Sequence, residues 1–288
     1  MYDYEDEEDD MFGTPPPAKN KATIDFKSEL NDDQYKAVTA PFGPALVLAG
    51  AGSGKTRTLT YRVAYLLSEG VNPEDILLLT FTNKASKQML ERVEELTGMG
   101  AHRFLGGTFH HVGGQVLRLF GDSIGLPRNY TILDDSDSDS LLSEVIRDLD
   151  PDFFKSKENP KAKPIKGIIS YSRNVMVPVE EVAKGRYPSN GELLAKIDAF
   201  MREYQEAKIS RGLADYDDLL VLWLQVLETN QDAAQYYQDR FSHILVDEYQ
   251  DVNTLQAKIV DKIGANHQIM AVGDDAQCIY TWTGADID

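Results

Sequence analysis

A glycine-rich loop that ends in lysine and threonine carries the clearest chemistry in the sequence. It lies between a short apolar run and a segment with helical spacing, and comprises Ala49, Gly50, Ala51, Gly52, Ser53, Gly54, Lys55 and Thr56. Glycines allow the tight turn that directs successive backbone N–H groups at one anion, and the dipole of the following helix favours the same negative charge. We predict that Lys55 reaches the β- and γ-phosphates of a nucleotide and that Thr56 is a ligand of Mg²⁺. The next residue, Arg57, is included in the predicted nucleotide site.

A pair of carboxylates follows the apolar run His243–Val246, and ligands bind at the carboxyl ends of parallel strands. Asp247 is predicted to hold Mg²⁺, and Glu248 to take the proton from an attacking water. An isolated Asp-Glu pair would more simply be an exposed helix start at a favourable dipole position. Beside a phosphate loop the catalytic interpretation is favoured, although Ala49 stands where the strict loop pattern has glycine. The two motifs together predict a P-loop NTPase that binds ATP with Mg²⁺.

Short apolar segments that end in polar loops alternate with helical patterns along much of the chain. Four of these segments are predicted strands: Ala45–Leu48, Ile76–Phe81, His243–Val246 and Gln268–Val272. Continuous apolar strands separated by helices predict an α/β fold, in which a parallel sheet has helices on both faces. Between about residues 112 and 213 the strand pattern disappears and helical spacing remains. This change predicts a mostly helical insertion into the sheet domain.

Charge is unevenly distributed along the chain. The formal net charge is −18, from 47 acidic and 29 basic residues, and this average argues against a nucleic-acid partner because like charges repel. Seven of the acids lie within residues 1–10, and eight lie between Asp134 and Asp152. Residues 153–175 have the opposite sign, with six bases and one acid. That stretch is predicted to be either a solvated loop or a local cationic surface.

The N-terminal residues 1–27 are predicted to be a disordered, acidic and proline-rich arm. The arm is interpreted either as a solubilising tail or as a mimic of DNA that lies transiently over the cationic stretch 153–175. The sequence lacks a secretory signal pattern, and its single Cys278 has no partner for an internal disulfide. No apolar run approaches the roughly 18 to 20 residues of a membrane span. We therefore expect a cytoplasmic protein with no membrane partner.

Several segments resemble helicase motifs in their usual order. Asp247-Glu248-Tyr249-Gln250-Asp251 is closely similar to motif II of the UvrD/PcrA/Rep group of superfamily 1A DNA helicases. Five further segments resemble other motifs of that group. Leu30–Gln34 resembles the Q motif, Thr80–Ala85 motif Ia and Gly107–His110 motif Ib. Asp215–Leu220 resembles the DFDDLL element, and Val272–Tyr280 resembles motif III. The resemblance spans residues 30 to 286. It implies a RecA-like domain 1A at residues 28–111 and 214–288, interrupted by a helical domain 1B at residues 112–213.

The resemblance also implies an activity and a set of contacts. The group's members are 3′→5′ helicases or translocases that couple ATP hydrolysis to movement on single-stranded DNA, which suggests a role in DNA repair or replication and binding to single-strand/duplex junctions. Gln34 is expected to read the adenine edge and Gln277 to sense the γ-phosphate. DNA contacts are expected from Phe81, Thr82, Asn83, Thr108, His110, Tyr280 and Trp282. Aromatic platforms of this kind stack on bases without reading sequence, for about 1–3 kcal/mol per base.

Two features depart from the group's pattern. The sequence ends at Asp288, before motifs IV to VI and the second motor domain, and Thr283 stands where arginine is common. We expect a monomeric fragment that binds ATP better than it hydrolyses it, since an arginine finger is worth roughly 10³ to 10⁵ in rate. Two alternatives stay open. The chain is either part of a RecB/AddA-like nuclease–helicase or defence system, or a non-catalytic ATP-dependent DNA-binding module.

Overall fold

A parallel β-sheet forms the centre of the molecule. The computed structural model describes residues 24–188, 191–264 and 268–274. In chain order, strands β1 to β7 lie at Ala45–Leu48, Ile76–Thr80, Leu105–Thr108, Thr131–Ile132, Leu213–Ala214, His243–Val246 and Gln268–Gly273. Five of them form the parallel sheet in the order β1-β7-β6-β2-β3, while β4 pairs with β5 in a separate two-stranded sheet.

Helices cover both faces of the sheet. In chain order, α1 to α12 lie at Phe26–Glu29, Asp32–Val38, Lys55–Ser68, Asn83–Thr97, Phe109–Phe120, Asp135–Leu149, Ala162–Val175, Val179–Arg186, Gly191–Ser210, Asp218–Thr229, Gln231–Arg240 and Thr254–Ile263. Helices α3 and α4 share a hydrophobic core with one face, whereas α5 and α10 to α12 share one with the other. The predicted α/β fold is therefore confirmed. None of the helices in the described residues is both long and apolar enough to span a bilayer.

The strand register brings the ends of three strands to one edge of the sheet. Leu48 at the end of β1 pairs with Gly273 at the end of β7, and Leu79 of β2 pairs with Val246 at the end of β6. Along β2, the side chains alternate between the two faces: the first and third residues pack with α3 and α4, while the second and fourth pack with the helices of the opposite face. The loops that follow β1, β6 and β7 therefore meet at the carboxyl edge, where open α/β sheets bind ligands.

A second hydrophobic core lies between β4 and β5 in the chain and is built mainly by α6 to α9. Helix α5 does not belong to it, although the predicted insertion begins at residue 112, inside that helix. The apolar face of α5, which includes Val112 and Val116, is buried in the core of the sheet domain. Pairing of β4 with β5 brings the two ends of the second core together. We therefore propose that the insertion begins near residue 131 and ends near residue 213.

Buried charges join the insertion to the sheet domain. The Lys208 ammonium group of α9 is fully buried, 2.5 Å from an Asp215 carboxylate oxygen and 2.6 Å from one of Asp218. Arg173 of α7 lies 3.2 Å from Asp218. Burial would raise the pKa of Asp215, but the charges of Lys208 and Arg173 hold it below its usual value. Since a buried charge without its partner is strongly destabilising, this cluster holds α7 and α9 against the start of α10.

Candidate functional site

The glycine-rich loop has the backbone conformation of an anion-binding turn. Gly52 and Gly54 have φ angles of +73° and +88°, a region that residues with side chains rarely adopt. Gly54 is the N-cap of α3, where no side chain caps the helix and the first turn holds no acidic residue. The uncapped N–H groups at this helix start, together with the charge of Lys55, suit a phosphate group.

Lys55 lies between carboxylates that follow β6 and β7. Its Nζ is 3.2 Å from Glu248 Oε2 and 3.9 Å from Asp274 Oδ2, and its side chain is only 9% exposed. The N–H of Ala49 donates to the Gly273 carbonyl at 2.9 Å, which joins the start of the loop to the end of β7. The structure therefore brings together the lysine of the loop and the glutamate of the carboxylate pair, nearly two hundred residues apart in the chain.

Asp247 is buried at the end of β6, with 2% of its surface exposed. Its N–H donates to the Leu79 carbonyl at 2.9 Å, and its Oδ1 accepts the Glu248 N–H at 3.0 Å. Burial, followed by the charge of Glu248, raises the pKa of Asp247 to about 6. A bound divalent cation would favour the ionised carboxylate. Asp247 and Thr56 carry the carboxylate and hydroxyl oxygens that Mg²⁺ prefers as ligands, so these residue types fit the metal, and their role as its ligands stays a prediction.

Gln250 is a further residue of the candidate site. The sequence placed it in the motif around Asp247 but predicted no role for it. Its Nε2 donates to Glu248 Oε2 at 2.7 Å, and its Oε1 accepts the Asp274 N–H at 2.8 Å. Glu248 itself has a φ angle of +49°, which is uncommon for a residue with a side chain and recurs at functional sites. Gln250 therefore orients the glutamate carboxylate and ties the turn after β6 to the end of β7.

Gln34 lies against the glycine-rich loop. It completes a capping box with Asn31 at the start of α2, and its Nε2 donates to the Ser53 carbonyl at 2.9 Å. A Cβ on Gly54 would lie 2.6 Å from that nitrogen, so the glutamine packs closely on the loop. This position is compatible with contact to a nucleotide base, and the reading of adenine stays a prediction.

Arg57 contacts Glu29 of α1 and Tyr61 of α3. Its guanidinium donates to the Glu29 carbonyl at 2.8 Å and to the Tyr61 hydroxyl at 3.1 Å, and it lies over the Tyr61 ring, 4.7 Å from the centroid. These contacts tie α1 to α3. The predicted contact of Arg57 with the nucleotide stays a prediction.

A cavity of about 260 Å³ lies between the sheet domain and the insertion. Its wall includes two of the predicted DNA-binding residues, Phe81 and His110, together with Tyr216, which the sequence did not indicate as a site residue. The rings of His110 and Tyr216 are stacked, with centroids 3.8 Å apart and an interplanar angle of 15°. Burial lowers the pKa of His110 to about 4, so the imidazole is neutral at pH 7. The cavity therefore offers aromatic and neutral polar surface together with the Asp217 carboxylate, and no lysine or arginine is among the described residues that line it.

The other described DNA-binding candidates differ in exposure. Thr82 and Asn83 are exposed at the start of α4, where Thr82 Oγ1 accepts the Ala85 N–H at 3.1 Å. Thr108 is buried, and its hydroxyl caps α5 by accepting the His111 N–H at 3.2 Å. Thr108 thus orients the helix start that carries the cavity histidine and offers little surface of its own. Three predicted site residues lie outside the described residues: the DNA-binding candidates Tyr280 and Trp282, and Gln277, the predicted γ-phosphate sensor.

Comparison with known proteins agrees with these motifs. The family model for the UvrD/REP helicase N-terminal domain matches residues 30–288. The chain belongs to this family. Its match therefore includes Gln34, the glycine-rich loop, the Asp247–Glu248 pair and the insertion. The resemblance to the UvrD/PcrA/Rep group is confirmed.

Curated relatives of the family carry the same region within a longer chain. The sequence is 39% identical over 264 residues to the ATP-dependent DNA helicase PcrA of Bacillus subtilis (strain 168), a match covering 90% of this chain and 34% of that relative. It is 37% identical over 262 residues to the helicase PcrA of Staphylococcus aureus (strain NCTC 8325 / PS 47), with 90% and 35% covered. The chain thus spans about a third of the length of these relatives.

Proposed function

We propose that this chain is the ATP-binding part of a 3′→5′ DNA helicase or translocase that moves on single-stranded DNA, in DNA repair or replication. The observation that carries the proposal is the position of Lys55 at the end of the glycine-rich loop, 3.2 Å from Glu248 and 3.9 Å from Asp274. This arrangement supports a nucleotide whose terminal phosphates lie between the loop and the carboxyl ends of β6 and β7. The relatives, which are named ATP-dependent DNA helicases, support the choice of ATP and DNA.

The proposed chemistry is hydrolysis of the terminal phosphate. The N–H groups of the loop and the Lys55 ammonium hold the phosphates, and Thr56 and Asp247 hold Mg²⁺, which neutralises phosphate charge when it is bound. Glu248, held by Gln250, accepts a proton from the attacking water. In the helicases that this chain resembles, arginines of a second motor domain complete the site, so full activity is proposed only for a protein that includes that domain.

The proposed DNA contacts begin at the aromatic wall of the cavity. Tyr216 is 57% exposed and stacks on His110, and Phe81 lies at the carboxyl end of β2. Stacking on such rings holds single-stranded bases without reading sequence. Lysines at the start of α7 are exposed to solvent and support attraction of the phosphate backbone at a single-strand/duplex junction.

The Lys55→Ala variant tests the nucleotide site through its affinity for a fluorescent ATP analogue in the presence of Mg²⁺. We expect at least tenfold weaker binding of a fluorescent ATP analogue, because hydrogen bonds to charged groups are worth about 1.5–3 kcal/mol. The control is Lys262→Ala, which removes an exposed lysine at the far end of α12, and thermal unfolding verifies that both variants are folded. Unchanged affinity in folded Lys55→Ala would exclude the proposed phosphate site.

A further inference from the structure

A hydrogen bond between two asparagine side chains joins the nucleotide side of the molecule to the insertion. Asn253 Nδ2 donates to Asn174 Oδ1 at 2.8 Å. Asn253 is the N-cap of α12 and follows the turn that carries Glu248 and Gln250, whereas Asn174 lies near the end of α7. Both asparagines also line the cavity between the two hydrophobic cores.

The orientation of both amides is determined by their other partners. Asn253 Oδ1 accepts the Gln256 N–H at 2.9 Å as a helix cap, so only its amide nitrogen is available to Asn174. The Asn174 amide nitrogen donates to the Ser170 carbonyl at 2.9 Å and to Asp217 Oδ1 at 3.3 Å. Because an amide has one acceptor side and one donor side, rotating either group would oppose like atoms at several contacts.

Short contacts connect Asn253 to the phosphate site. Glu248 lies beside Lys55 and is held by Gln250. The turn that follows is tight, since the Asp251 N–H donates to the Glu248 carbonyl at 2.9 Å. Asn253 follows this turn closely as the N-cap of α12 and is itself 3% exposed. A shift of Glu248 on nucleotide binding would therefore be passed through this turn to the start of α12.

Short contacts also connect Asn174 to the aromatic wall of the cavity. The Asp217 carboxylate that accepts from Asn174 follows Tyr216 directly in the chain, and Tyr216 stacks on His110. Ser170, whose carbonyl accepts from the same amide, lines the cavity as well. Movement of Asn174 relative to the sheet domain would thus change the shape of the surface on which a base would stack.

We propose that the Asn174–Asn253 pair is a positioning contact that couples occupancy of the nucleotide site to the affinity of the cavity for single-stranded DNA. The proposal rests on the function proposed above for the two sites. Coupling between two binding sites is reciprocal and typically amounts to a 5- to 150-fold change in affinity. The pair acts through the positions of α12 and α7.

The test is the ratio of two affinities measured on the 288-residue chain at low ionic strength. Binding of a labelled oligo(dT) is titrated with and without a saturating non-hydrolysable ATP analogue and Mg²⁺. In Asn253→Asp the carboxylate still caps α12, since aspartate is a good N-cap, but it has no proton to donate to Asn174. We expect the nucleotide to change oligo(dT) affinity at least fivefold in the parent chain and less than twofold in Asn253→Asp, with nucleotide affinity alone unchanged.

Two further variants separate coupling from general loss of structure. Asn230→Asp makes the same change at the N-cap of α11, where Asn230 Oδ1 accepts the Ala233 N–H at 3.1 Å, and should keep the parent ratio. Asn174→Ala removes the other partner, so the nucleotide should again change oligo(dT) affinity less than twofold, as in Asn253→Asp. If neither nucleotide nor oligo(dT) binds the parent chain, the proposed function fails. If both bind but the parent ratio is one, or folded Asn253→Asp keeps the parent ratio, the coupling proposal is wrong and the proposed function stands.

Discussion

Carboxylates outnumber the lysine around the candidate phosphate site. Lys55 contacts Glu248 and Asp274, and the charge of Glu248 also acts on buried Asp247. Without a metal the cluster therefore carries excess negative charge in a region of low solvent access. Burial and that charge together disfavour ionisation of Asp247, which is why its pKa is raised.

The raised pKa of Asp247 predicts a pH-dependent stability of the metal-free chain. The folded protein binds this proton up to about pH 6, whereas the unfolded chain releases it near pH 4, so the contribution is fully present below about pH 4 and is lost as the pH rises through 6. The parent therefore loses this stability as the pH rises, whereas Asp247→Asn has no such proton to lose. We expect the free energy of unfolding of Asp247→Asn minus that of the parent to rise by up to roughly 3 kcal/mol across that window.

Denaturant unfolding in the presence of a chelator, at several pH values between 4 and 7, measures this difference. The neutral state of His110, whose pKa is lowered to about 4, makes a contribution of opposite sign in an overlapping window. That contribution is common to both proteins and cancels in the comparison. A difference that does not change with pH would contradict the protonation of Asp247 in the folded state.

At the scale of elements, the close approach of α5 to α10 holds the sheet domain together beside the cavity. A Cβ built on Gly113 of α5 would lie 2.3 Å from the Leu219 carbonyl oxygen of α10, whereas a Cβ on the adjacent Gly114 would come no closer than 3.7 Å to the Tyr130 hydroxyl. Only Gly113 is therefore required by the helix packing, because its contact is with backbone that cannot rotate away.

This difference predicts opposite effects of the same substitution at neighbouring positions. Gly113→Ala should destabilise the chain by about 1–3 kcal/mol, since overpacking forces the helices apart. Gly114→Ala should be neutral or stabilising by up to about 1 kcal/mol, because alanine favours the helix over glycine. Thermal unfolding of the two variants compares them directly. Equal stability of the two variants would contradict the close approach of α5 and α10.

For the whole molecule, the net charge of −18 and the proposed affinity for DNA are compatible because charge is locally separated. Attraction would come from exposed lysines such as Lys161 and Lys163 at the start of α7, while the average charge repels a phosphate backbone at long range. The proposed DNA binding by this chain alone should therefore be weak and strongly dependent on salt.

A salt titration of oligo(dT) binding measures this dependence. With about three phosphate contacts, the slope of log affinity against log salt should be about −2. The Lys161→Gln/Lys163→Gln variant should make the slope less steep by about 0.7 for each lysine that no longer binds a phosphate. Lys262→Gln, an exposed lysine on α12, is the matched control. A slope that is the same in the parent and the double variant would contradict the assignment of these lysines to the backbone contact.

Much of the fold and of the phosphate site could be predicted from the sequence because the signals are local. Continuous apolar runs indicated strands β1, β2, β6 and β7, and the glycine-rich loop and the Asp247–Glu248 pair follow directly after two of them. The short β3 has two glycines among its four residues, so its apolar signal was weak and its strand was not predicted. The insertion start that we propose from the hydrophobic cores is later than the predicted one, because α5 and the insertion helices have the same helical spacing.

The sequence by itself determined which residue types stand at the ends of which strands, and hence the kind of chemistry that the site supports. Only the tertiary structure decided that Gln250 bridges two strand ends, that Tyr216 stacks on His110, and that Asn174 binds Asn253. These partners are up to 106 residues apart in the chain. Local rules of spacing and capping act over a few residues, whereas such contacts depend on how the sheet, its covering helices and the insertion pack together.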